Sequence, residues 1–318
     1  MASKITPART ITLRILKTFT WGGGILLIPM TALYFFPGLS ILVGEVKDTS
    51  PYCTMGKAVT DARFKIQQDR DARQLQAASK KVRSENGLDL WDTPQGKWWL
   101  PSGSDEILFV LLGQQDRNIY GSAEEGGVRP GDVVFDCGAH VGTYVRKALN
   151  AGASKVIAIE PSPEAVESLR RNLAPEIASG KVVIVPKGVW DKEETLVFYS
   201  NGNGAAGDSF VTKGEGAKEI RIPVTTIDLI ATELKLQKID FIKADVKGAS
   251  ERMLHGSVKT IAAHHPRFVI STEEEPEDPK ALADFLFKQD SRYRARGGPC
   301  LYTGSAIRSD TMFFGVGN

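Results

Sequence analysis

The stretch Asp132-Val-Val-Phe-Asp-Cys-Gly-Ala-His-Val-Gly142, followed by Val156-Ile-Ala-Ile-Glu-Pro161, contains the residue types and spacing of a nucleoside-binding crevice. An apolar run ends in Asp136 and a glycine-spaced turn; a second apolar run ends in Glu160 and Pro161. Gly138, Ala139 and Gly142 let the backbone pass close to a ligand, and Glu160 is placed to accept hydrogen bonds from two ribose hydroxyls. Two ligands fit such a crevice, a dinucleotide or S-adenosylmethionine. The turn puts His140 where a pyrophosphate cradle needs its middle glycine. Asp136 would repel a pyrophosphate, yet it suits the ammonium of a methionyl group. The spacing therefore favours S-adenosylmethionine over a nicotinamide dinucleotide, and an oxidoreductase is the third-ranked reading.

Alternating strands and helices must position these residues. Periodicity predicts strands at Val133–Asp136, Val156–Glu160, Val182–Pro186, Phe198–Tyr199, Ile220–Thr225, Ile239–Ala244, Phe268–Thr272 and Thr311–Val316. It predicts helices at Gly142–Ala151, Pro163–Leu173, Ile227–Leu234, Ala249–His255 and Asp278–Lys288. Short apolar runs joined by helical crossovers imply an α/β fold with a doubly wound, mostly parallel sheet; the last strands should make an antiparallel edge. Ligands bind beyond the carboxyl ends of such strands, which singles out Asp136, Glu160, Val189 with Asp191, Asp245 and Glu273. Asp245 and His140 sit on expected loops at the crevice mouth and are the candidate bases. Ser209, in a glycine-rich stretch, is a candidate acceptor contact. The pair His264-His265 would face opposite ways on a strand and has no third partner, so no metal site is expected.

The pattern resembles the FkbM-type family of S-adenosylmethionine-dependent O-methyltransferases. The likeness rests on Pro130-Gly-Asp-Val-Val-Phe-Asp-Cys-Gly-Ala-His-Val-Gly142, Ile159-Glu-Pro-Ser-Pro163, Thr225-Thr-Ile-Asp228 and Ile239-Asp-Phe-Ile-Lys-Ala-Asp-Val-Lys-Gly-Ala249, and it covers roughly residues 95–318. It implies a Rossmann-like class I methyltransferase sheet and an acceptor hydroxyl on a sugar, glycolipid or natural product. By resemblance, Asp136, Gly138 and Gly142 line the methionine end, Glu160 holds the ribose, and Asp245 lies beside the transferring methyl. The family typically reads Asp-Val-Glu-Gly-Ala-Glu where this chain has Asp245-Val-Lys-Gly-Ala-Ser250. Two acids are missing, and Lys247 reverses a charge near the acceptor. Three consequences stay open: another base, an anionic acceptor met by Lys247, or a decayed enzyme kept as a scaffold.

The chain has 318 residues, 42% of them hydrophobic, which is enough for one full core with length to spare. Its 40 Lys and Arg against 38 Asp and Glu leave a formal charge of +2, and no basic stripe interleaved with aromatics marks a nucleic-acid surface. Cys53, Cys137 and Cys300 are scattered without Cys-x-x-Cys spacing, so free thiols in a reducing compartment are expected. Residues 1–18 form a basic N-terminal segment, and residues 19–44 carry no charge and are long enough to serve as a membrane anchor. Residues 45–89 read as a solvated helical stalk that offers a route to oligomers, and residues 90–318 as the methyltransferase domain, opened by a hairpin at Trp91–Pro101. The lysines and arginines ahead of the apolar run favour an external domain, whereas the cofactor's cytoplasmic origin favours a cytoplasmic one. A re-entrant anchor with a cytoplasmic catalytic domain satisfies both and is the expectation.

Overall fold

The computed structural model describes residues 46–200, 208–272, 278–303 and 306–317, together with 20–21, 24–25 and Ile41. Two short strands, β1 (Thr20–Trp21) and β2 (Gly24–Ile25), pair antiparallel. Then come β3 (Asp48–Thr49), α1 (Met55–Asp61) and α2 (Phe64–Ala77). Strands β4 (Lys80–Glu85), β5 (Leu88–Thr93) and β6 (Gly96–Pro101) form an antiparallel sheet, and α3 (Asp105–Asp116) follows. The β5–β6 pair is the hairpin expected at Trp91–Pro101.

The central layer begins with β7 (Val133–Cys137), α4 (Thr143–Asn150), β8 (Lys155–Ile159), α5 (Pro163–Asn172), α6 (Ala174–Ala178) and β9 (Val182–Val185). A side sheet of β10 (Gly188–Val189), β11 (Glu194–Ser200) and β12 (Lys218–Thr225) interrupts it. The chain returns through α7 (Ile227–Glu233), β13 (Phe241–Ala244), α8 (Ser250–His255), α9 (Val258–His264), β14 (Arg267–Ser271) and α10 (Pro279–Gln289). It closes with β15 (Tyr293–Gly297), β16 (Cys300–Tyr302), β17 (Ala306–Ser309) and β18 (Thr311–Val316).

Seven strands make the main sheet in the order β15-β18-β14-β13-β7-β8-β9. Strands β9, β8, β7, β13 and β14 run parallel, and β18 lies antiparallel between β14 and β15. The antiparallel strand is thus one in from the edge. All five residues of β7 are buried, because helices cover both faces of the sheet. Val133, Phe135 and Cys137 point to the core beneath α7, α8, α9 and α10, whereas Val134 points to the core beneath α4 and α5. Strand order reverses between β7 and β13, and the crevice opens above their carboxyl ends.

Two expectations change, for the stalk and for the cysteines. The stretch read as a stalk instead lies against the domain: α2 packs on α3, burying Gln68 and Ala72, and Asp71 pairs with Arg117 at 2.6 Å. Its sparse apolar residues suffice because they meet one helix rather than a full core. Trp98 is buried beneath the Arg146 guanidinium, and Trp99 lies between Arg83 and Arg171, so neither lines the crevice. Cys53 and Cys300 are not free thiols; they form a disulfide across 247 residues, with Cα atoms 5.9 Å apart. Linear spacing could not reveal the pair, which is brought together by the pairing of β3 with β17 and the small core of Ile41, Ala58 and Ile307.

The anchor expected at residues 19–44 lies almost wholly outside the described residues. No helix among the described residues is long and apolar enough to cross a membrane. Thiol titration of the unfolded, unreduced protein should find one group, Cys137. Cys53→Ser should lower unfolding free energy by about 2–4 kcal/mol in denaturant titration.

Candidate functional site

A cavity of about 380 Å³ opens at the reversal point between β7 and β13. Gly138, Ala139 and His140 form its floor, Glu160 and Pro161 one side, and Asp245, Val246 and Lys247 the other. Val189, from the side sheet, and Ser209 also reach it. The turn after β7 departs from ordinary backbone: Gly138 has φ 78°, His140 φ 50° and Gly142 φ 90°. A Cβ on Gly138 would stand 2.1 Å from the Asp245 carbonyl oxygen, so only glycine lets the loops after β7 and β13 approach. Gly142 serves another purpose. Its missing Cβ makes room for Leu169 and Leu173, and it faces α5 rather than the cavity.

Glu160 is held from behind. Its Oε2 accepts from the His140 N–H at 2.8 Å and its Oε1 from the Ser162 N–H at 2.9 Å. Burial raises this carboxyl to about 7, against the pull of those two donors. Each oxygen keeps a lone pair for a ligand on the cavity side, which suits a pair of neighbouring hydroxyls. The turn's donors are otherwise engaged: Gly138 N–H and Ala139 N–H both bond the Ile159 carbonyl, and Gly142 N–H bonds the Ala139 carbonyl. A pyrophosphate needs such donors turned towards it, and here they are turned into the protein.

Asp136 is placed differently from the sequence expectation. Its side chain is fully buried, does not line the cavity, and lies 3.0 Å from the Lys243 ammonium. Lys243 is its register partner on β13, and the same ammonium donates to the Gly138 carbonyl at 2.9 Å. The rings of Tyr120 and Tyr144 lie 5.3 and 5.8 Å from it. Burial alone would lower the lysine, but Asp136 and then Asp245 outweigh it, so the ammonium is held above its usual range. Burial likewise pulls Asp136 up and Lys243 opposes that pull; the 3.0 Å contact is that of an ion pair. A methionyl ammonium would have to compete with a lysine already in place. Sequence reasoning passed over Lys243 because a lysine inside an apolar strand, Phe241-Ile-Lys-Ala244, reads as a solvent-facing position; its place opposite Asp136 emerges only from the pairing of β13 with β7.

Asp245 begins the loop after β13. Tyr120 donates its hydroxyl to Oδ2 at 3.2 Å, and the Lys247 ammonium lies 3.4 Å from Oδ1. Burial raises its pKa, but Lys247, Lys243 and the Tyr120 hydroxyl outweigh that and hold it below the usual carboxylate range. Lys247, at φ 42°, presents its carbonyl to the Ser209 hydroxyl at 2.9 Å, so Ser209 supports the loop as well as lining the cavity. Ser250 is fully buried at the start of α8 and does not reach the cavity. Asp191 pairs with Arg252 at 2.6 Å and stays outside the lining. Burial pushes the Cys137 thiol far up, which makes it a packing residue. Glu273 lies outside the described residues.

Fold and crevice together define a methyltransferase-like α/β protein with a mixed sheet. The methyltransferase FkbM domain matches residues 136–294, and the chain belongs to that family. Its structure is similar to methyltransferase FkbM from Methylobacillus flagellatus KT, at 15% identity and TM-score 0.42, over 81% of this chain and 60% of that one. It is also similar to precorrin-6y C5,15-methyltransferase from Geobacter metallireducens GS-15, at 14% identity and TM-score 0.34, over 66% and 86% of the two chains. A Streptococcus mutans protein assigned as a methyltransferase, in complex with SAH, is similar at 11% identity and TM-score 0.38, over 59% and 90%. No curated protein matches the chain in sequence.

Two predictions follow from these contacts. Lys243→Met strands a buried carboxylate and should cost about 3–5 kcal/mol in denaturant unfolding, with part recovered when Asp136→Asn is added. Glu160 gives opposite pH trends. Its folded value of about 7 lies above the ordinary 4.5, so the folded state binds the extra proton between these values. Its contribution to apo stability is therefore favourable below 4.5 and is lost as pH rises through 7. Binding of S-adenosylhomocysteine, which uses the ionised form, should instead weaken by up to about tenfold per pH unit below 7, and Glu160→Gln should flatten that slope in calorimetry.

Proposed function

We propose that this chain is an S-adenosylmethionine-dependent O-methyltransferase acting on a hydroxyl of a small molecule or glycolipid. The observation that carries the reading is the Glu160 carboxylate, held by two backbone donors at the cavity wall while the glycine turn keeps its own donors inside. That donor set fits a ribose and leaves a pyrophosphate without partners. When bound, S-adenosylmethionine supplies the methyl group on an electrophilic sulfur.

Glu160 would accept the ribose hydroxyls, with Pro161 and Val189 lining the cavity near it, and Gly138 with Ala139 keeps the floor low. Asp245 is anionic at neutral pH and holds its proton weakly, so its part is to accept a hydrogen bond from the acceptor hydroxyl and aim the oxygen. Tyr120 and Lys247 fix the carboxylate for that task. His140, an imidazole at the same floor, removes the proton. Lys247 stands where the family usually has an acid and takes its place as a positioning group for Asp245.

The Cys53–Cys300 pair supports a thiol-oxidising compartment for the catalytic domain, in place of the cytoplasmic expectation.

Calorimetry on the full chain should show micromolar binding of S-adenosylmethionine and S-adenosylhomocysteine that Glu160→Ala abolishes; no binding by the folded wild type would overturn the reading. With an acceptor in hand, His140→Ala should lower kcat by roughly 10²–10⁴ while cofactor affinity is kept.

A further inference from the structure

Helix α3 is apolar on two faces. Leu108, Phe109 and Leu112 enter the core with Trp98 and Leu100. Ile107 and Leu111 do not; they are only partly buried and line the cavity instead, and Val110, which packs on the edge of that core, reaches the cavity as well. With Gln114 they form one helical stripe, at spacings of three and four, that runs about 10 Å along the cavity. Across from it the side sheet supplies Phe198 and, from the loop after β11, Phe210, whose rings lie 4.7 Å apart. Core packing accounts for neither Ile107 and Leu111 nor the polar end of α3. Gln114 is 8% exposed and lines the cavity, and its carboxamide oxygen has no hydrogen-bond partner among the described residues. A buried amide oxygen left without a donor costs free energy unless a ligand supplies one.

Building on the methyltransferase reading, we infer that the acceptor carries its reactive hydroxyl on an apolar body, alkyl or aryl, which lies between α3 and Phe198–Phe210. A polar substituent on that body donates to Gln114. The α3 stripe and the Phe198–Phe210 pair line the same cavity as Glu160, Pro161 and Asp245, and the apolar slot is assigned to the acceptor on that adjacency. A bare sugar would leave the α3 stripe in contact with water and Gln114 unanswered.

The test uses the full chain saturated with S-adenosylhomocysteine and titrated with methyl, phenyl and n-octyl β-D-glucoside, below the micelle threshold, by calorimetry. Phenyl or octyl glucoside should bind roughly tenfold or more tightly than methyl glucoside, because each buried methylene adds severalfold to affinity. A gain for octyl alone assigns an alkyl body, and a gain for phenyl alone assigns an aryl one. Leu111→Asn should erase the gain without changing S-adenosylhomocysteine affinity; the isosteric Val110→Thr should halve it or more and guards against a folding defect in the first variant. Equal weak binding of all three glucosides, with S-adenosylhomocysteine still bound, would overturn the inference and leave the methyltransferase reading intact. Loss of S-adenosylhomocysteine binding in Val110→Thr would also overturn it, by assigning the stripe to the cofactor. Failure of the wild type to bind S-adenosylhomocysteine would remove the reading beneath it.

Discussion

The crevice depends on one ammonium. Lys243 sits inside the sheet, opposite Asp136 in the register of β13 and β7; it contacts the turn that follows β7, and Asp245 after β13 lies in its field. A lysine in an apolar strand is costly to bury, and it is tolerated here because a carboxylate, a carbonyl and two aromatic faces receive it. The pairing occurs where the strand order reverses and where the backbone of the two loops comes closest, past the missing Cβ of Gly138. Charge, close approach and topology thus coincide at one point. The same ammonium reinforces Asp245 as an anion, so the structural ion pair and the reacting end of the cavity share one field.

Once Lys243 answers Asp136, the division of labour among the carboxylates follows. Asp136 is structural. Glu160 is buried against the cavity with backbone donors behind it, in a setting that raises its proton affinity and leaves acceptor positions on the open side. Asp245 lies between Tyr120, Lys243 and Lys247, in a setting that lowers its own. Glu160 and Asp245, alike in sequence, differ because burial outweighs the opposing contacts at the first, whereas Lys247, Lys243 and Tyr120 outweigh burial at the second. An arrangement with one acid poised near neutrality and another firmly ionised can bind a diol at one end and steer a hydroxyl at the other.

The alternation of apolar runs and helices made the doubly wound sheet legible, and the glycine turn followed by Glu160 marked the crevice, because period and turn chemistry are local properties. What stayed hidden depends on distant residues. The last strands make the antiparallel edge expected of them, but β15, outside β18, was not read as a strand, since its register with β18 is not written in either segment alone. Phe198–Tyr199 and Ile220–Thr225 were read as further strands and belong to a side sheet that walls the cavity. Asp191 looked like Glu160 by position yet pairs with Arg252, a partner 61 residues away. Cys53 and Cys300 joined for the same kind of reason. Helices α2 and α3, from the stretch before the recognised motifs, supply much of the apolar cavity wall or its support; composition read the first of them as a wet stalk because its buried face is narrow.

A crystal structure of the full chain with S-adenosylhomocysteine tests the central claim most directly, namely that Lys243 answers Asp136 and leaves Glu160 as the carboxylate that meets the ligand. The account predicts both ribose hydroxyls on Glu160, the Lys243–Asp136 pair intact, and no ligand atom within hydrogen-bond distance of Asp136. A ligand ammonium seated on Asp136 with Lys243 displaced, or a ligand bound away from Glu160, would contradict it.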